Sequence, residues 1–394
     1  CMALWQYSFR GGDDMKFAHL ERLNLTLRAL APVFIGSGEQ LGKKEYIFDS
    51  PNALIYFPDF PRLVAFLKER SLLAEYEKFL STPRLKDIRV FLEENGISAA
   101  DYPSFVRYSI AAGEAAHIEN FREVLTFIKD SKGYPYIPGS SLKGAIRTAL
   151  ATYLLKRGDW ERDRRNIEGS DSSVPARKYL ARESSTVEKK VFYQLDIRNP
   201  KDGKEISSPI NDLMQGIRIS DSAALSFENL TLTGKYDRKP DGTVNLLPIF
   251  RECLTPGSEA HLQVTLDLPM LARVGLNAGI IEEALHDFAD EHYAHFEQYF
   301  AELPEDASVA AKEGVDIFLG GGVGYVSKTL TYNLFPQREN AVSLAAKILT
   351  KQFSPKHGHS KDASQYKVSP HILKTTMYAG EYYHMGKCEL IITR

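Results

Sequence analysis

The chain has 394 residues, with 49 Lys+Arg against 51 Asp+Glu for a formal net charge of −2, and 43% of its residues are hydrophobic. That length allows one or two domains with an ample core. The near-neutral balance argues against gripping nucleic acid by bulk positive charge, and no apolar run is long enough to span a membrane. Cysteines stand only at positions 1, 253 and 388, too scattered for a disulfide framework or a Cys-based zinc site, and they fit a reducing cytoplasm.

Residues 1–14 read as a tag or disordered leader. Gly11-Gly12-Asp13-Asp14 is a polar joint before Met15, and the opening lacks the pattern of a signal peptide. Leu23, Leu25 and Leu27 alternate with polar residues as in a strand with one buried face. Gly36-Ser37-Gly38 is expected to break that strand, with Lys43-Lys44 following. Short strands are expected over 45–49 and 53–57, an amphipathic helix over 61–80, and further helices near 83–95 and 117–129. A faint echo relates Asp49-to-Pro58 and Asp130-to-Pro138, each a hairpin feeding a helix, though chance explains so short a match as well.

Tyr134 to Leu150 reads as a strand, a turn at Pro138-Gly139 and a helix. Ser140 or Ser141 is placed to cap that helix, and Leu142, Ile146, Ala149, Leu150, Tyr153 and Leu154 recur at three and four. Lys143 and Arg147 are helical neighbours. Free N–H groups, two hydroxyls and two cations suit an anion such as phosphate. An ordinary capped helix with solvated charges fits the same residues, and the spacing rejects a nucleotide P-loop.

Residues 158–190 are polar, charged and without apolar period, and read as a long loop. Residues 156–190 hold ten Lys/Arg against seven Asp/Glu, net +3, as a solvated face would. Strands are expected over 191–197, 216–220, 244–250 and 261–268, then a long helix over 277–303. The glycine loop Gly320–Gly324 comes next, then a helix near 340–351, a basic loop and a strand over 388–392. Residues 347–374 hold six Lys, one Asp and three His, and the near absence of opposing charge is suggestive of a binding stretch.

Ile137-Pro138-Gly139-Ser140-Ser141-Leu142-Lys143-Gly144-Ala145-Ile146-Arg147 resembles the signature of the RAMP proteins of CRISPR–Cas effector complexes. Val33–Gly38, Gly216–Ser222 and Phe318–Tyr325 resemble the type III-A (Csm) branch, and Ser369–Lys374 its fifth-subunit family, which caps the filament at the 3′ side of the guide RNA. The resemblance covers roughly residues 15–394. It implies an α+β fold of two ferredoxin-like (RRM-like) modules with helical insertions. The first would span 15–157, the second and less regular one 191–394, with 158–190 as the loop between. It further implies a cytoplasmic, non-catalytic crRNA-binding subunit serving crRNA maturation and antiviral interference. Its partners would be crRNA, the Csm backbone and small subunits, and host trimming nucleases, with no membrane and no cofactor. The RNA-binding residues expected are Gly36, Ser37, Lys43, Gly139, Ser140, Ser141, Lys143, Arg147, Arg218, Gly320, Gly321, Gly322, Gly324, Tyr325 and Lys328. In that role the glycines admit close backbone approach, Tyr325 stacks on a base and Lys328 meets a phosphate.

Two rival readings stay open: an endoribonuclease that processes precursor crRNA, and an assembly protein that touches only other subunits. Metal-independent cleavage needs an acid–base pair, for which His19, His117 and His371 are available. His292 and His295 share a helix face as a metal pair would, without the His-Glu-x-x-His order, and no metal site is expected. The Csm backbone subunit cuts target RNA with an Asp in the loop after its first strand. Here that loop runs Glu39–Glu45 with no Asp; Glu45 is a poor substitute and Asp49 comes later.

Overall fold

Leu23, Leu25 and Leu27 do share a buried face, on strand β1 (Leu20–Ala29). A strand so apolar on one side needs covered neighbours. It finds them in a five-stranded sheet of order β11 (Ile317–Phe318), β14 (Lys387–Thr393), β1, β10 (Glu259–Asp267) and β7 (Ile217–Ile219). All its pairings are antiparallel. Helices α4 (Gly139–Arg157) and α8 (Ala278–His295) pack on this sheet through Ile146, Ala278, Ile281 and Leu285. The computed structural model describes residues 17–82, 87–118, 122–204, 206, 208–300 and 313–393. The expected leader at 1–14 lies outside the described residues.

A second sheet runs in the order β2 (Gly36–Gly42), β6 (Glu123–Phe127), β9 (Val244–Leu254), β8 (Leu230–Arg238), β5 (Val106–Ala111), β4 (Leu54–Pro58), β3 (Ile47–Asp49). Strand β12 (Leu373–Tyr378) joins it on β8 and forms a hairpin with β13 (Glu381–His384). At its β3–β4 end, α1 (Phe60–Glu69), α2 (Leu73–Ser81) and α3 (Ile88–Glu94) close a second core around Leu63, Tyr76, Phe79, Phe91 and Phe105. Each sheet takes strands from both sides of residues 158–190, so the division expected there is not a division of the sheets.

Several expectations are corrected. Gly36-Ser37-Gly38 does not break a strand but begins β2. The helix read over 61–80 is two, parted where Ser71 takes a φ of 59°. The helix read over 117–129 is contradicted at its end, which is strand β6, whose Val124, Thr126 and Phe127 are all buried, so polar–apolar alternation is lost. Residues 158–190 are not a loop, for they contain α5 (Glu161–Glu168) and most of α6 (Ala181–Phe192). The strand read over 191–197 is the end of α6 and irregular chain; only Tyr193 bridges, to Asp212. Helix α5 is held by charge more than by apolar surface. Glu161 pairs with Arg165 one turn on, and buried Asp163 binds Lys190 of α6 at 2.7 Å.

Candidate RNA-binding interface

Helix α4 begins at Gly139 because nothing larger fits. A Cβ there would stand 2.4 Å from the carbonyl oxygens of Ile219 and Ser220. That approach lets Asp221 Oδ1 accept from Gly139 N at 2.8 Å, while Ser222 Oγ accepts from Ile137 N at 2.9 Å. The segment Gly216–Ser222 thus docks on the turn before α4. The expected cap by Ser140 or Ser141 is not made; the cap comes from Asp221, which puts a carboxylate where an external anion was expected. Ser140 is exposed and Ser141 half-buried.

The glycine loop lies across the chain beginning β2. Gly321 N donates to the Phe34 carbonyl at 2.6 Å, and a Cβ on Gly320, at φ 90°, would stand 2.1 Å from that same oxygen. Only glycine permits both the dihedral and the contact. Lys328 Nζ donates back to the Gly320 carbonyl at 2.7 Å. Beneath the loop, His384 has one ring nitrogen on the Val323 carbonyl at 3.2 Å and the other on the buried carboxylate of Glu297, which Lys387 also meets at 3.2 Å.

Three segments distant in sequence therefore meet at one concavity of about 410 Å³, lined by Gly36, Ser140, Ser141, Gly144, Thr148, Gly320, Gly321 and Lys328. Its polar groups are hydroxyls, backbone and one ammonium, which suits a sugar–phosphate backbone. Beside it, along α4 and β7, run three cations in different states. Lys143 is half-buried with no ion-pair partner among the described residues; burial lowers its pKa and Asp212 partly offsets that. Arg147 is committed within the protein, to Asp212 at 2.7 Å, Glu188 at 3.1 Å and the Phe192 ring at 3.4 Å. Arg218 is exposed, 3.7 Å from Asp267.

Other expected residues stand apart. Ser37 is spent on Thr126 at 2.6 Å. Lys43 lies at the far end of β2, where its carbonyl accepts from Ile88 N of α3. Tyr325 is packed against the core, with its hydroxyl 3.1 Å from Thr331. Gly322 and Gly324 face away from the concavity, towards Arg251 and Lys374.

No acid–base pair forms from the histidines singled out. His19 precedes β1 and His117 follows β5, both exposed. His371 is buried, with Nδ1 2.5 Å from Asp362, which also receives His359 and Ser369. Asp362, His359 and His371 are the one set of potential metal ligands among the described residues. His371 and His359 stand 2.5 Å and 3.1 Å from the Asp362 carboxylate, the separations of a hydrogen-bonded knot. His292 and His295 diverge: His292 is buried against Phe318 and His295 binds Glu291 at 2.7 Å. Glu45 closes its own turn by accepting from Gly42 N, and buried Asp49 holds Asn52, so neither carboxylate is free for RNA cleavage.

The model of the RAMP superfamily matches residues 26–327, and the chain belongs to that superfamily. Among curated relatives, the "CRISPR system Cms protein Csm5" of Mycobacterium tuberculosis (strain CDC 1551 / Oshkosh) is 31% identical over 95% of this chain and 99% of its own. The protein of the same name from Streptococcus thermophilus is 32% identical over 78% of this chain and 79% of its own. Two solved structures share the fold. A chain of a Csm–crRNA–target RNA ternary complex of a type III-A CRISPR–Cas system has TM-score 0.62 and 20% identity, over 94% of this chain and 100% of that one. The T. onnurineus Csm5 crystal structure has TM-score 0.60 and 19% identity, over 92% of this chain and 99% of that one.

Proposed function

We propose that the chain is a non-catalytic crRNA-binding subunit of a type III-A CRISPR effector, capping the filament at the crRNA 3′ side and needed for crRNA maturation and interference. One observation carries this reading: the 410 Å³ concavity where the serine–lysine helix, the glycine loop and the start of β2 converge. Backbone, hydroxyl and ammonium groups without a poised acid–base pair suit holding RNA of any sequence. The names of the curated relatives support the same assignment. On it, the partners are crRNA, the Csm backbone and small subunits, and trimming nucleases. On the same reading the setting is the cytoplasm and the α+β fold is built on two ferredoxin-like modules with helical insertions.

The test is a labelled repeat–spacer RNA incubated with the purified protein, with and without EDTA, and run on native and denaturing gels. A shifted, intact RNA is expected. A discrete cleavage product overturns the non-catalytic reading. Absence of binding both alone and in a reconstituted complex overturns RNA binding itself.

A further inference from the structure

The side of the glycine loop away from the concavity covers a buried cation. Arg251, on β9, is only 6% exposed. Its Nη1 lies 3.0 Å from the Met385 sulfur, its guanidinium stands 5.3 Å from the Phe34 ring centroid, and its Nε is buried without a partner. Among the described residues no carboxylate lies within ion-pair distance. The adjacent Glu252 cannot serve, since neighbouring side chains of a strand point to opposite faces, and it is taken by Lys129 at 2.6 Å. An arginine this buried, with no ion pair and only the more distant charge of Asp237 to offset it, is costly, so such a group points to an anion supplied from outside.

Its surroundings are cationic too. On the same face, Lys235 of β8 is half-buried with no ion pair among the described residues, and Lys374 of β12 binds Asp237 at 2.7 Å. Burial lowers the pKa of Lys235, the nearby charges of Lys374 and Arg251 lower it further, and Asp237 opposes them. Three cations thus share one carboxylate, on a chain whose total charge is −2. The loop is fitted to them: a Cβ on Gly322 would stand 2.3 Å from Arg251 Nη1, and one on Gly324 would touch Lys374 at 3.9 Å.

We propose that Lys235, Arg251 and Lys374 form a second phosphate site on the far side of the glycine loop. It would take a backbone phosphate of the same RNA strand that the concavity holds on the near side. This rests on the RNA-binding reading above. A phosphate fits better than an acidic peptide because the site shares the loop whose other flank offers hydroxyls and backbone to a sugar–phosphate chain. Arg251 would supply the planar fork and the two lysines point charges. The strand would straddle Gly320–Gly324, held from both sides without any base being read.

The test is fluorescence anisotropy of a labelled single-stranded RNA against the full chain over a salt series, for wild type, Lys235→Gln and Lys235→Gln/Lys374→Gln. Losing one phosphate contact should flatten the slope of log K on log salt by about 0.7 and weaken binding about tenfold. Lys235→Gln, at a half-buried position with no ion pair among the described residues, keeps the test meaningful if the double variant fails to fold. Arg251→Met, which preserves packing on Phe34, should match it. Wild-type binding with an unchanged slope in these variants overturns this site alone. A wild type that binds no RNA, alone or in the reconstituted effector, overturns the RNA reading and this site together.

Discussion

Lys143 and Arg147 sit one turn apart on α4, yet their environments assign them different work. Arg147 is bound by two carboxylates and an aromatic face, so it ties α4 to α6 and to the segment before β7. Lys143 is a half-buried cation with no ion pair among the described residues. Arg147→Ala should therefore cost about 1–2 kcal/mol of stability, read as a lowered denaturant midpoint, while the salt slope of RNA binding stays put. Lys143→Ala should leave the midpoint unchanged and flatten that slope by about 0.7. The opposite pattern would make Arg147 the RNA ligand. The motif was visible in sequence; the division of labour was not, because Asp212, Glu188 and Phe192 reach α4 only through tertiary contacts. Arg251 was equally hidden, beside Glu252 in an otherwise ordinary strand.

At the scale of elements, the glycine loop rests on a buried ionic knot that ties β13 and β14 to the chain after α8. His292 lies beside it, fully enclosed, with neither ring nitrogen hydrogen-bonded. Burial pushes its pKa down to about 3, with neighbouring His384 and Lys387 adding to the shift and Glu297 opposing it. An unfolded histidine titrates near 6.5. Below that pH the unfolded chain binds a proton that the fold refuses, so stability falls by about 1.4 kcal/mol per pH unit towards pH 3. Glu297 acts in the same direction but later. Burial alone would raise its pKa, but His384 and Lys387 hold it at about 2, so its contribution is present above the ordinary carboxylate range and lost on acidification. His292→Phe, set among Phe288, Phe296 and Phe318, should flatten the acid limb between about pH 6.5 and 4.5 without loss at neutral pH. Parallel acid limbs in thermal melts would refute this. Elements with a clear period, such as β1, α4 and β10, were legible in the sequence. Those it misread are covered on both faces, as β6 is, or held by paired charge, as α5 is, and neither condition leaves a hydrophobic period to read.

At the scale of the molecule, chain order and spatial order disagree. Strand β1 lies between β10 and β14, and one buried core runs from Leu23 to Leu390. Within the other sheet, β5 and β6 of the first half pair in parallel with β8 and β9 of the second. Cutting the chain between 157 and 158 would strip β1 of both neighbours and leave β6 without β9, exposing backbone donors and acceptors along both. A fragment of residues 15–157 should therefore show no cooperative melt by circular dichroism when made alone, and should fold when made together with residues 158–394. Only the cluster around Leu63, Tyr76 and Phe91 is local enough to persist in the isolated fragment, as residual helix. A cooperative transition in the fragment alone would mean that the halves are independent modules after all. The concavity would then be a joint between two bodies, because β2 and α4 come from the first half and the glycine loop from the second. If the halves fold only together, the two flanks of the glycine loop are fixed relative to each other before RNA arrives, and little ordering entropy remains to oppose binding.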